Sequence, residues 1–267
     1  ILSTFIYNCT TVVNMYIYLY VMDYKKMNPI LSSNHYGIFS GLAVAVVNIP
    51  IAIASSMSSA IMPGVAASYA KGTVAQTRKQ ITRAIQMTML IAIPAAVGIA
   101  VLPRPIMQFI FPQKESLDIA SGLLAALAVT VVFYSLSTLT NAVLQGIGKV
   151  NTPVIHAVVA LAIQVAGLIA LMLYTDLELY ALAAANAIYS FVMCVLNHLS
   201  VRKHLEYRMD VVKLFLKPLF SAVIMGAAAF GVYHGLILLI PVSRLVLLMA
   251  IAIGMCVYGA VLLLIGG

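Results

Sequence analysis

Long stretches of apolar residues, each about as long as a bilayer is thick, alternate along the chain with short polar segments. A hydrocarbon core about 30 Å thick needs about 20 apolar residues in a helix. Strands are not indicated, because the alternation typical of membrane β-strands is absent from the sequence. We therefore predict an all-α integral membrane protein with about eight transmembrane helices. The predicted spans are residues 1–22, 36–62, 84–102, 117–141, 152–174, 179–200, 218–240 and 243–265.

Composition supports this prediction. Of the 267 residues, 63% are hydrophobic and 8% are charged, whereas soluble domains carry roughly 25% charged residues. The net charge of +8 would suggest nucleic acid in a soluble protein, but here membrane topology explains it. The three cysteines lie in apolar runs without metal or disulfide spacing, so we interpret them as packing residues.

The basic residues fall on one side of the predicted topology. If residue 62 ends its span in the cytoplasm, that side holds ten of the fifteen basic residues against only Glu206 and Asp210. The opposite side sums to zero, as the positive-inside rule requires. We predict a multi-pass membrane protein with a cytoplasmic C-terminus. Residues 64–80 and 201–217 are basic and moderately amphipathic, so they either lie along the inner surface or form solvated loops.

Catalysis is not indicated by the sequence. Carboxylate pairs inside the membrane, a zinc-binding HExxH motif and a phosphate-binding glycine loop before a lysine are all absent. We therefore expect a protein that is not an enzyme and has no catalytic residues, cofactor or metal. His156 is a candidate proton relay, although a histidine near a span end also reaches the interface easily. Gly231 and Gly235 form a GxxxG, a weak signal for helix packing.

Uncharged polar residues recur at helical spacing on several predicted spans. They either line a hydrated cavity through which a polar solute crosses, or let helices pack closely and hydrogen-bond. Taken together, the stripes slightly favour a cavity. The candidate lining residues are Asn8, Asn14, Asn48, Ser55, Ser59, Thr138, Asn141, Gln145, Gln164, Asn186 and Ser190.

Two stretches carry a family resemblance. They are HYGIFSGLAVAVVNIPIAIASSMSSAIMPGVAASYAKG at residues 35–72 and LQGIGKVNTPVI at residues 144–155. The chain resembles the polysaccharide-biosynthesis and stage V sporulation protein B branch of the multidrug/oligosaccharidyl-lipid/polysaccharide exporter superfamily, which includes lipid II flippases.

The resemblance implies fourteen spans, arranged as two six-helix lobes and an extra helix pair. Residues 1–200 would be the C-terminal lobe, residues 201–217 a basic cytoplasmic linker and residues 218–267 the extra pair. The chain begins at Ile1 without an initiator methionine, so we expect it to be part of a longer protein whose N-terminal lobe is its partner.

The implied function is a flippase that moves an undecaprenyl-linked precursor, such as a lipid II-like molecule, by alternating access. The extra pair would offer a groove to the polyprenyl tail, and the polar stripes would take the place of water around the sugar. Arg78, Lys79 and Arg83 are candidates for attracting the pyrophosphate from the cytoplasm, although topology alone also explains these charges. Membrane lipid and the glycan-bearing substrate are the expected ligands, and nucleic acid is not expected.

The substrate stays open, because some lipid II flippases of the superfamily carry a cavity arginine where this chain has apolar residues near Ala45.

Two other functions also stay open. A cation-coupled multidrug exporter would more often place a carboxylate inside the membrane, and this chain has none there. A non-transporting membrane scaffold would need no lined cavity.

Overall fold

The structure, a computed structural model, describes residues 2–111, 115–238 and 243–266, with side chains described from residue 9 onward. Within these residues, all regular secondary structure is helical and no strand is present, which confirms the predicted fold class. The helices are α1 (Leu2–Tyr24), α2 (Pro29–Gly37), α3 (Val44–Ala70), α4 (Val74–Val101), α5 (Pro103–Ile110), α6 (Leu117–Gly146), α7 (Asn151–Tyr174), α8 (Leu179–Leu205), α9 (Lys217–Ile237) and α10 (Ser243–Leu264).

Seven helical segments in the described part of the chain are long and apolar enough to cross a membrane. They match seven of the predicted spans, from the second to the last. The first predicted span, residues 1–22, corresponds to α1, a helix of 23 residues whose first side chains lie outside the described residues.

The second span is longer than predicted. It runs as one helical segment of 42 residues, Pro29–Ala70, instead of residues 36–62. The side chain of Asn28 accepts a hydrogen bond from the amide of Ile30 at 2.9 Å and so caps the helix start. A π-helical stretch, Ile38–Ala43, joins α2 to α3. Hydropathy missed the extension at the start because residues 32–35 are polar but still helical.

Residues 64–80 form neither a surface segment nor a loop. Helix α3 continues to Ala70 and α4 already begins at Val74. Gly72 makes the tight turn between them with a φ of +71°, a conformation that favours glycine. The Ser68 hydroxyl lies 2.9 Å from the Thr77 hydroxyl and from the Gln80 side-chain oxygen. The prediction erred because the helices extend past the point where their composition becomes polar.

The predicted linker at residues 201–217 is also shorter than expected. Helix α8 continues to Leu205, and a π-helical stretch, Val212–Leu216, leads directly into α9. Only residues 206–210 are irregular. Glu206 ends α8 with a φ of +46°, in the left-handed region. The short helix α5 was not predicted because its eight residues are too few to give a clear period.

Helix α6 is the centre of the bundle. It packs against α3, α4 and α8, and its Leu123, Leu124 and Leu127 are almost completely buried. Helix α7 packs against α8 and α1 on one flank. Helices α9 and α10 pack against each other and against α4 on the opposite flank. The fold therefore holds polar groups of α6, α7 and α8 inside the bundle and leaves one face of α3 open.

Candidate functional site

One face of α3 and of the π-helical stretch before it carries small and polar residues that this chain leaves uncovered. Asn48 and Ser59 are exposed and Ser55 is half-buried. Gly41 and Ala45, on the same predicted stripe, are also exposed. We call this surface the open polar face; it lies on a helix whose opposite side is buried against α6 and α4.

A second group of predicted residues forms a buried amide cluster between α1, α7 and α8. The Gln164 side-chain amide donates to the Asn14 side-chain oxygen at 3.0 Å and more weakly to that of Asn186 at 3.5 Å. The Asn14 amide donates to the same Asn186 oxygen at 3.4 Å. The Gln164 oxygen is buried without a hydrogen-bond partner among the described residues. These side chains tie three helices together.

A third group forms a polar chain across α6, α7 and α8. The Asn197 amide donates to the Asn141 side-chain oxygen at 2.7 Å and to the Ser137 carbonyl at 3.2 Å. The Asn197 oxygen lies 2.7 Å from His156 Nδ1, and the Ser200 hydroxyl lies 3.2 Å from His156 Nε2. The Asn197 oxygen can accept a hydrogen bond from Nδ1–H, and the Ser200 hydroxyl can pair with Nε2 as donor or as acceptor. His156 is thereby held as part of a structural network.

The other candidates are more dispersed. Thr138 and Gln145 are half-buried on α6. Ser190 is buried and donates to the Ala187 carbonyl of its own helix at 3.0 Å, so its hydroxyl serves the backbone. The side chain of Asn8 lies outside the described residues. Sequence reasoning omitted Asn197 from the candidates, although the spacing of Asn186, Ser190 and Asn197 placed it on the same stripe.

An apolar groove of about 650 Å³ runs along α4, between α3 and the α9–α10 pair. Pro50 and Ile53 of α3 and Leu247 and Ile251 of α10 contribute to its walls. Its polar feature is Tyr258, whose hydroxyl donates to the Leu90 carbonyl at 3.2 Å. We call this the side groove; it offers hydrocarbon-like walls with a single hydroxyl at one place.

A basic cleft, also of about 650 Å³, lies where α4 begins and α8 ends. It is lined by Arg78, Lys79, Thr82, Arg202, Glu206, Tyr207 and Arg208. Arg78 is fixed by the Leu205 carbonyl, 2.6 Å from its Nε, and by Glu206 at 3.2 Å. Arg83, the third predicted contact for pyrophosphate, is exposed but not part of the cleft.

Tyr207 closes one side of the basic cleft. Its hydroxyl lies 3.1 Å from that of Thr82. Burial raises the pKa of Tyr207 and the carboxylate of Asp210 adds to the rise, whereas the hydrogen bond with Thr82 lowers it. The phenol therefore stays protonated at neutral pH and contributes no negative charge to the cleft. Among the described residues, no cluster of potential metal ligands is present.

Long apolar helices, an open polar face and a side groove define the chain as a polytopic helical membrane protein. Residues 30–250 match the family model for the lipid II flippase MurJ. The chain therefore belongs to the lipid II flippase MurJ family.

Individual relatives agree with this assignment. The chain is 28% identical over 190 residues to the lipid II flippase MurJ of Bacillus subtilis (strain 168). Its fold is similar to that of a solved lipid II flippase MurJ in an inward closed conformation, with a TM-score of 0.74 and 19% identity over 97% of this chain. The matches cover 34% of the Bacillus protein and 51% of the solved one, so the chain spans about half the length of its relatives or less.

Proposed function

We propose that this chain is the C-terminal part of a flippase that moves an undecaprenyl-linked cell-wall precursor of the lipid II type across the bacterial cytoplasmic membrane. The observation that carries the proposal is the match of residues 30–250 to the lipid II flippase family. Both relatives described above are lipid II flippases by name. The open polar face and the side groove supply surfaces suited to the two unlike ends of such a substrate.

The open polar face would receive the sugar head group. A sugar cannot cross hydrocarbon with its hydrogen bonds unmet, because each unpaired polar group costs several kcal/mol there. Asn48 and Ser55 offer amide and hydroxyl groups on a face of α3 that the described residues leave uncovered. The Asn48 side-chain amide can both donate and accept hydrogen bonds. It would therefore replace water around a sugar hydroxyl that acts as acceptor or as donor.

The side groove would hold the start of the polyprenyl tail. Its walls are almost entirely apolar and its volume is about 650 Å³. At about 25 cal/mol per Å² of buried apolar surface, such a groove favours a hydrocarbon chain over water. The groove borders both α3 and the α9–α10 pair, so the tail would lie beside the head group's path while the rest of it stays in lipid.

The arrangement of helices suits motion between two lobes. We assign α1 to α8 to one lobe and α9 and α10 to an extra pair, and we place the open polar face against a second lobe of the same protein. Rocking of the lobes would then expose that face to each side in turn. The basic end of the bundle, including Arg78, Lys79 and Arg83, would attract the pyrophosphate by its net charge.

Complementation tests this proposal. The full-length protein that contains the chain is expressed in a bacterium depleted of its own lipid II flippase, and growth is measured. We expect growth to be restored. Absence of growth, despite normal amounts of the protein in the membrane, would contradict the proposal and favour drug export or a different lipid-linked glycan.

A further inference from the structure

The transport proposal uses the charge at this end of the bundle only for long-range attraction, and it places no ligand in the basic cleft. Among the residues that line the cleft, four side chains are cationic and one is a carboxylate, so their net charge is +3. Only Arg78 is paired with that carboxylate. Lys79, Arg202 and Arg208 have no ion-pair partner within the described part of the chain. Three cations therefore face one concavity without internal neutralisation.

The cleft lies at the depth of lipid head groups. The apolar stretch of α4 begins at residue 84, six residues or about 9 Å beyond Arg78. On α8 the apolar stretch ends at residue 200, and Arg202 follows it directly. A ligand in the cleft would therefore sit where the polar ends of the helices meet the hydrocarbon layer.

Apolar surface adjoins the cleft. Val211, Val212 and Leu216 follow Arg208 in the chain and are 56%, 55% and 52% exposed. They belong to the start of the α9 segment, which one of the candidate spans includes. A molecule with a phosphate in the cleft could thus lay its acyl chains along α9.

The cleft is also remote from the middle of the open polar face. Asn48 lies 22 residues before Ala70, where α3 ends and a short turn leads to α4, and 22 residues span about 33 Å at 1.5 Å per residue. A head group held in the cleft, near that turn, is therefore not positioned at Asn48. This separation favours a resident lipid over the transported precursor.

We propose that the basic cleft is a binding site for the phosphate group of an anionic membrane phospholipid. Lys79, Arg202 and Arg208 bind the phosphate oxygens, and the Tyr207 and Thr82 hydroxyls offer further donors. Arg78, held by Leu205 and Glu206, fixes one wall in place. Basic pockets between membrane helices are suited to such head groups. The bound lipid would join the start of α4 to the segment that connects α8 and α9.

Binding of phosphatidylglycerol tests this inference without measuring transport. The full-length protein in neutral detergent is titrated with phosphatidylglycerol or phosphatidylcholine that carries a fluorophore on an acyl chain, and anisotropy is recorded. We expect the wild-type protein to bind phosphatidylglycerol roughly tenfold more tightly. Equal affinity for the two lipids would overturn the inference.

A matched pair of variants separates the cleft from diffuse charge. Arg202→Gln with Arg208→Gln removes two cations of the cleft, whereas Arg83→Gln with Lys203→Gln removes two exposed cations outside it. We expect the first variant to lose the roughly tenfold preference and the second to keep it within about twofold. Equal losses would overturn the inference. If the double variant fails to fold, Arg208→Gln alone is measured, because this residue lies in the irregular segment after α8. It should reduce the preference for phosphatidylglycerol roughly threefold.

Competition distinguishes other sources of phosphate. Inorganic pyrophosphate and farnesyl pyrophosphate are added to the complex with phosphatidylglycerol. We expect neither to displace the lipid at equimolar concentration. Displacement by inorganic pyrophosphate would make the cleft a site for soluble anions, and displacement by farnesyl pyrophosphate alone would make it a site for the precursor. Either result would contradict a resident phospholipid, and neither would contradict the flippase proposal.

Discussion

Individual polar side chains in this bundle divide into those that hold helices together and those left free for a ligand. Asn197 is completely buried and joins Asn141, Ser137 and His156. Asn48 is exposed on the open polar face. A buried group that loses its partner costs more than an exposed one, because no water replaces the bond. The two asparagines should therefore respond differently to the same substitution.

Asn197→Leu is expected to destabilise the protein. It leaves the Asn141 oxygen and the Nδ1 group of His156 without a partner, so the free energy of unfolding should fall by about 1–2 kcal/mol. Reversible unfolding in mixed micelles, followed by circular dichroism, measures this change. Asn48→Leu is the control and should leave the unfolding free energy unchanged. Equal effects of the two substitutions would refute the assignment of Asn197 to a structural network.

Asn48→Leu is expected to impair transport instead. Loss of its amide would leave sugar hydroxyls unpaired on the open polar face and slow flipping roughly tenfold. The rate is measured on the full-length protein in liposomes that contain a labelled lipid-linked precursor. Ser56→Ala is the control, because the Ser56 hydroxyl already donates to the Ala52 carbonyl at 2.9 Å. A normal rate in Asn48→Leu would remove Asn48 from the proposed path.

At the scale of helices, composition predicted where the spans lie but not how their ends and contacts are built. The predicted span 152–174 is close to the observed α7, and the predicted span 179–200 begins where α8 begins. Both agree because charged or turn residues flank these segments. The extension to Leu205 escaped prediction because its residues are polar but still helical, and the π-helical stretch Ile38–Ala43 escaped it because it does not change hydropathy. Side-chain pairing such as that of Asn14 with Gln164 depends on tertiary packing, which one sequence does not reveal.

Helix packing offers a direct comparison between glycines. A Cβ atom at Gly226 would lie 2.8 Å from Val97 Cγ1 and 3.2 Å from Val101 Cγ2, whereas Gly231 and Gly235 have no atom within 4 Å. The GxxxG therefore makes no close contact among the described residues. We expect Gly226→Ala to lower the unfolding free energy by about 1–3 kcal/mol. Gly231→Ala should be neutral or stabilising, and thermal unfolding of both variants checks the difference. Similar melting temperatures would contradict the close packing of α9 on α4.

The proline inside α4 gives a second prediction about an element. Pro94 cannot donate to the Leu90 carbonyl, and Tyr258 of α10 supplies that hydrogen bond instead. Tyr258→Phe should therefore cost about 0.5–1.5 kcal/mol of unfolding free energy. In a Pro94→Ala background the restored backbone bond should reduce that cost to below about 0.5 kcal/mol. A double-mutant cycle measures the coupling, and an unchanged cost would show that Tyr258 does not compensate for the proline.

At the scale of the whole molecule, the basic segments meet at one end of the bundle. Arg78 contacts Leu205 and Glu206 there. Lys217 contacts the carbonyls of Ile265 and Gly266 at 3.0 and 2.9 Å, which brings the last helix to the start of α9. The charge pattern predicted that the segments around Arg78 and Arg202 would share one side.

Cysteine labelling tests the orientation. After Cys9, Cys194 and Cys256 are replaced by serine, single cysteines are introduced at the exposed Ala75 and at Asp176, and intact cells are treated with a membrane-impermeant maleimide. We expect Asp176→Cys to react from outside and Ala75→Cys to react only after lysis, because we propose that the basic end faces the cytoplasm. The reverse pattern would contradict the proposed topology.

Direct measurement of translocation tests the central claim of lipid-linked precursor flipping. In cells depleted of their own flippase, the full-length protein is induced and the fraction of radiolabelled lipid-linked precursor accessible at the outer surface is determined. The account predicts that this fraction rises with induction and that Asn48→Leu, at equal membrane levels, raises it much less. A precursor that stays inaccessible, despite a folded protein in the membrane, would contradict the account.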